Sequence, residues 1–138
     1  MNWAWCETLA MRFTFTIDST DPERLATFWA AALGYTAVGE FGVFWPLFPV
    51  DASEPAFNIQ RVSDAKVGKN RMHLDVHVDD LDAEVQRLGS LGASMVSASV
   101  VCEHDHRWLV MADPDGNEFC VVQRPAGVDD LGRAAEAG

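Results

Sequence analysis

The residues best able to do chemistry gather in one short segment. RMHLDVHV, residues 71–78, alternates apolar and polar. This puts His73, Asp75 and His77 on one face of a predicted strand and Met72, Leu74, Val76 and Val78 on the other. Imidazoles beside a carboxylate move protons near neutral pH or hold a divalent metal. Residues two apart on a strand are about 6.5–7 Å apart, so His73 shares one ion with Asp75 or His77 only where side-chain reach is favourable. A second group, CEHDH at 102–106, holds Cys102, Glu103, His104, Asp105 and His106. It falls between predicted strands and reads as a solvated turn, with a lid whose His104 or His106 touches a ligand as the alternative. Cys120 shares a strand face with Glu118, and no neighbouring cation or helix N-terminus activates it, so it reads as a buried, inert thiol. No glycine-rich phosphate loop, Ser-His-Asp order or nucleophile elbow is present.

The elements that must position these groups occur twice. RFTFTID (12–18) is a predicted strand with Phe13, Phe15 and Ile17 on one face and Thr14 and Thr16 on the other. Asp21 then caps a helix that Pro22 and Glu23 suit at its start and Gly34 ends. Leu25, Phe28, Trp29, Ala32 and Leu33 form its apolar stripe, which makes Trp29 a core residue. Extended segments follow at 35–39, 42–48 and 56–62, and Pro46 and Pro49 mark the middle one as an edge strand or irregular. Residues 63–70 read as a linker. The pattern restarts with 71–78, a helix capped by Asp79 or Asp80, carrying Leu81, Val85 and Leu88 inward and stopped by Gly92, and strands at 93–101, 107–112 and 118–123. DPDGN (113–117) is a tight turn. Asp21 and Asp80 set a period of roughly 60 residues, a duplication in which each helix covers one sheet face and the other faces curl round a shared hollow. Thr14, Thr16, His73, Asp75 and His77 would line it, with Phe44, Trp45 and Trp108 as its apolar wall.

At 138 residues and 49% hydrophobic, the chain suits one domain with a real core. A net charge of −11 speaks against nucleic acid and anionic membrane as partners. No apolar run reaches the ~18–20 residues of a membrane span. The three cysteines, Cys6, Cys102 and Cys120, read as reduced thiols, and with no secretory leader in MNWAWCETLA the expected compartment is the cytoplasm. Residues 1–11 are expected to be an N-terminal extension, with Trp3 and Trp5 outside the pattern, and 125–138 a flexible tail.

DPERLATFWAAALGY, KNRMHLDVHVDDLDAEVQRLGSLGA and MADPDGNEFCVV together resemble a glyoxalase-like domain of the vicinal oxygen chelate superfamily, which includes bleomycin-resistance proteins and dioxygenases. The resemblance spans about 12–124. It implies an α+β fold of two βαβββ modules, about 12–62 and 71–123, forming an open curved cup, and a homodimer. It also implies four metal-ligand positions, which fall here on Thr14, Gln60, His73 and Glu118. Two of these are weak donors, so a divalent ion (Zn, Ni, Fe or Mn) would rest on His73 and Glu118 with help from Gln60. The metal-free alternative is a His73–Glu118 acid–base pair, with Asp75 as a second carboxylate on the same wall. Thr14, Thr16, Trp45, Gln60, His77 and Trp108 are the expected substrate contacts. The function implied is binding of a small organic molecule, with a lyase or isomerase step on it. The alternative is a sequestering drug-binding protein of the bleomycin-resistance type.

Overall fold

The computed structural model describes residues 14–103, 105–123 and 125. Phe13, Trp3, Trp5, Cys6, His104 and most of the C-terminal tail lie outside them. The chain divides into two compact units between Ser63 and Asp64. The fold is α+β, and both sheets are open. Among the described residues no helix is long and apolar enough to cross a membrane.

The first unit runs β1 (Thr14–Ser19), α1 (Pro22–Leu33), β2 (Thr36–Ala37), β3 (Phe44–Phe48), β4 (Ala56–Arg61). Its sheet order is β1-β4-β3-β2, with β1 parallel to β4 and the remaining pairs antiparallel. Asp21 caps α1 by accepting from the Arg24 N–H at 3.4 Å, Pro22 occupies the first turn, and Gly34 closes the helix at φ 71°. Leu25, Phe28 and Trp29 are buried against the sheet, and the Trp29 ring stacks on Phe57 at 6.0 Å. Pro46 does not make β3 an edge, because β3 lies between β4 and β2. Its carbonyl accepts from Val38 on the β2 side. Its missing N–H therefore faces the two-residue strand rather than the β4 ladder.

The second unit repeats the plan: β5 (Asp75–Val78), α2 (Leu81–Leu91), β6 (Ser94–Met95), β7 (Val101–Glu103), β8 (His106–Ala112), β9 (Glu118–Gln123). Its order is β5-β9-β8-β6, with β7 also paired to β8 and β5 parallel to β9. Asp80 caps α2, and the Gln123 side chain accepts the Leu81 N–H at 2.8 Å, so the helix start is tied to the last strand. Leu81, Leu88, Leu109, Met111, Phe119 and Val121 form the core on the helix side.

Two departures from the expected strand boundaries have a visible cause in the hydrogen bonding. The single strand over 93–101 is two, β6 and β7. The N–H groups of Val96 and Ser97 both reach the Val110 carbonyl, and the Ser97 hydroxyl takes the Val110 N–H at 2.8 Å. This two-against-one pairing is a bulge that ends the first strand. The strand expected from 71 begins at Asp75. Ahead of it the side chain of Asn70 brackets Glu118, accepting its N–H at 2.9 Å and donating to its carbonyl at 3.2 Å, where a strand partner would stand.

The DPDGN turn delivers β9. Asp113 is buried, and its Oδ1 accepts from the N–H groups of Asp115 (3.0 Å) and Asn117 (2.8 Å) and from the Asn117 amide. Gly116 takes φ 86°, which a side chain resists. Asp113→Ala strands these donors, each worth about 0.5–1.5 kcal/mol, so urea unfolding should show a loss of about 2–3 kcal/mol.

Candidate functional site

Each unit has one face under its helix and one open face. In the second unit, Val76, Val78, Phe119, Val121, Leu109 and Met111 share the helix side. Register places Asp75 beside Cys120 and Val110, and His77 beside Val122 and Trp108, on the open side. The Cys120 N–H donates to the Leu74 carbonyl at 2.8 Å, which holds the residues just before β5 against β9 and brings His73 to the same place.

Three donor atoms meet there. One from each of His73, Asp75 and Cys120 lies within 4.8 Å of the others. His73 Nε2 stands 3.3 Å from Asp75 Oδ1, and both side chains are about half exposed, at 52% and 50%. The pair is thus preassembled yet reachable by a ligand. Glu118 is engaged elsewhere: its carboxylate pairs with the Lys69 ammonium. The His73–Glu118 pair expected from sequence is replaced by His73–Asp75. Two residues apart on an extended segment, these side chains close the roughly 6.5–7 Å backbone spacing by leaning together. The lysine takes the other carboxylate.

Cys120 feels the same surroundings. Burial pushes its thiol up to about 11, and the Asp75 carboxylate, as a nearby charge and as acceptor for the thiol, adds to this while Lys69 opposes it. A thiol held protonated is a poor nucleophile. Iodoacetamide should therefore label Cys120 slowly near neutral pH, and faster in Asp75→Asn, as peptide mapping by mass spectrometry would read. The raised value also favours the folded state only while the thiol keeps its proton. That contribution is full below the unfolded value near 9 and is lost as pH climbs through about 11.

The other expected contacts divide by unit. Thr14, Thr16 and Gln60 share the open face of the first sheet with Asn58, Phe44 and Pro46. Trp45 does not join them. It pairs with Ile59 on the helix side, is buried, and carries the Arg61 guanidinium over its ring at 5.0 Å. It borders a hollow of about 350 Å³ beside α1, lined also by Glu23, Thr27 and Glu40. The open-face assignment of Trp45 is corrected, because odd-numbered β3 residues face α1. In the second unit His77 and Trp108 lie on the open face. Lys69 and Asn70, read from sequence as linker, hold Glu118 by side chain and backbone. Their only sequence signal is polarity next to a strand, which does not single them out.

The Glyoxalase-like domain model matches residues 14–122. The chain belongs to the glyoxalase-like domain family. No curated protein matches it. Among solved structures, a glyoxalase/bleomycin resistance protein/dioxygenase family enzyme from Burkholderia phytofirmans PsJN is 17% identical, with TM-score 0.63 over 81% of this chain and 97% of that one. A superfamily member from Sphaerobacter thermophilus is 20% identical, with TM-score 0.64 over 84% and 98%. The oxidase ChaP-H1 is 22% identical, with TM-score 0.63 over 86% and 99%. At such identities the likeness speaks to fold, which hosts many chemistries.

The glyoxalase-like resemblance points to a metal on Thr14, Gln60, His73 and Glu118, and these residues do not fit one. A hydroxyl and a carboxamide are weak, neutral donors, and the one carboxylate is neutralised by Lys69.

Proposed function

We propose that this glyoxalase-like protein binds a small organic molecule on the open face of its second sheet and moves a proton on it with His73, oriented by Asp75, in a lyase or isomerase step. The single observation that carries this reading is the 3.3 Å approach of His73 Nε2 to Asp75 Oδ1 on an accessible face. With Nε2–H turned to the carboxylate, Nδ1 keeps its lone pair for the substrate, and the carboxylate stabilises the imidazolium that forms. A carbon acid next to a carbonyl is the substrate chemistry that this pair suits, since proton removal there begins both eliminations and isomerisations. Trp108, Val110 and Val122 supply an apolar wall beside the pair.

The sequestering reading draws on the same wall, which suits retention of an apolar molecule without chemistry. Deuterium wash-in separates the two. Exchange of an enolisable carbonyl compound's C–H in D₂O, read by NMR, supports proton transfer when it is lost in His73→Ala while binding persists. Tight binding with no exchange in the wild type supports sequestration.

Trp108→Ala provides a check on the wall. The ring is only partly exposed, so the substitution should cost about 1–3 kcal/mol in urea unfolding while weakening ligand binding about tenfold in the folded variant, as titration calorimetry would show.

A further inference from the structure

We infer that His73, Asp75 and Cys120 form a binding site for one thiophilic divalent cation of the zinc class, which silences the proton-moving pair when it binds. The inference rests in part on the function proposed above, because it names a regulator of the same side chains. The donor set is one imidazole nitrogen, one carboxylate oxygen and one sulfur, mutually within 4.8 Å. Zinc takes such ligands at about 2.0–2.3 Å in a tetrahedron, which brings donors to about 3.5 Å from one another. The required contraction is of the order of 1 Å. It falls on His73 and Asp75, whose half-exposed side chains have room to turn. Cys120 stays fixed on β9, directly across the ladder from Asp75.

The set differs from the one the resemblance implies. It omits Glu118, held by Lys69, and takes Cys120, two residues further along the same strand face. Sulfur decides the cation: a thiolate favours zinc or cobalt(II) over magnesium or calcium, whose preferred ligands are oxygens. As the sulfur–metal bond forms, the thiol proton passes to buffer. The bound ion holds His73 in place and leaves a fourth position open to water. Occupied this way, the imidazole no longer cycles protons.

The test uses the full-length protein without substrate. Equilibrium dialysis against zinc should give one ion per chain, and cobalt(II) should give the near-ultraviolet sulfur-to-cobalt absorption. Removing even an outer-shell partner costs about 10–100-fold in affinity, so Cys120→Ser and His73→Ala should each cost at least tenfold, and Cys120→Ser should abolish the absorption. Cys102→Ser and Glu118→Gln should keep both. Circular dichroism confirms that each variant is folded, and the isosteric serine guards against a packing defect. No stoichiometric zinc, or binding indifferent to Cys120, overturns the site, as does binding lost with Glu118→Gln. Any of these leaves the acid–base reading standing, because that reading is judged by wash-in in metal-free buffer. The silencing is overturned if zinc binds as described and wash-in proceeds at the metal-free rate.

Discussion

His73→Ala should lower proton exchange at an enolisable carbonyl compound by about 100- to 10,000-fold, the range that a positioned general acid–base contributes. The size of the loss follows from how the imidazole is held. Its Nε2 lies 3.3 Å from a carboxylate on its own segment, and no second histidine shares that carboxylate among the described ion pairs. His77 stands one step along the strand, beside Val122 and Trp108. It has no carboxylate partner in those pairs and is not placed to substitute. His77→Ala should therefore cost less than about tenfold, with the effect on KM rather than kcat. Progress curves for both variants against wild type, at matched folded concentration, check this.

Trp29→Ala should remove about 3–5 kcal/mol of stability, the usual cost of emptying a core site of that size. The indole is 2% exposed, stacks on Phe57 and meets Phe28 edge-on at 5.1 Å. It joins α1 to β4, so the cavity opens between helix and sheet, where neighbours on two rigid elements cannot collapse into it. Against a typical total of about 5–15 kcal/mol, this is a large share of the folding stability. Urea unfolding should show the midpoint falling with an unchanged slope, the mark of a stability change without a change in the surface exposed. Conversely, Phe48, half exposed on the open side of the same sheet, should tolerate Ala with a loss under about 1 kcal/mol.

Much of this architecture was legible because period and capping agree with it. Asp21, Pro22 and Gly34 bound α1 in the sequence as they do in the structure, and the Leu25/Phe28/Trp29 stripe is the buried one. The alternation in RMHLDVHV puts Asp75 and His77 opposite Val76 and Val78 as the register does, since a strand offers two faces, whereas His73 lies ahead of the strand and reaches Asp75 from there. What alternation cannot supply is which carboxylate a histidine meets. Glu118 and Asp75 lie on the same face, and the choice between them is made by Lys69, a side chain in a segment without period. The bulge at Val96 and Ser97 was illegible for a similar reason. A serine hydroxyl competing for one ladder donor leaves no mark on a run of small and β-branched residues. Trp45 illustrates the third limit. Its neighbour Pro46 argued for irregular structure, and only the register of β3 against β4 assigns it to the helix side.

The most direct test of the central claim, that His73 works as a unit with Asp75, is a double-mutant cycle on deuterium wash-in in metal-free buffer. Asp75→Asn alone should slow exchange about 10- to 100-fold, and adding it to His73→Ala should cost almost nothing more, because groups acting as a unit are lost together. Glu118→Gln should change the rate by no more than a few fold. Additive losses for His73 and Asp75, or a collapse of exchange in Glu118→Gln with Asp75→Asn near wild type, would contradict the account.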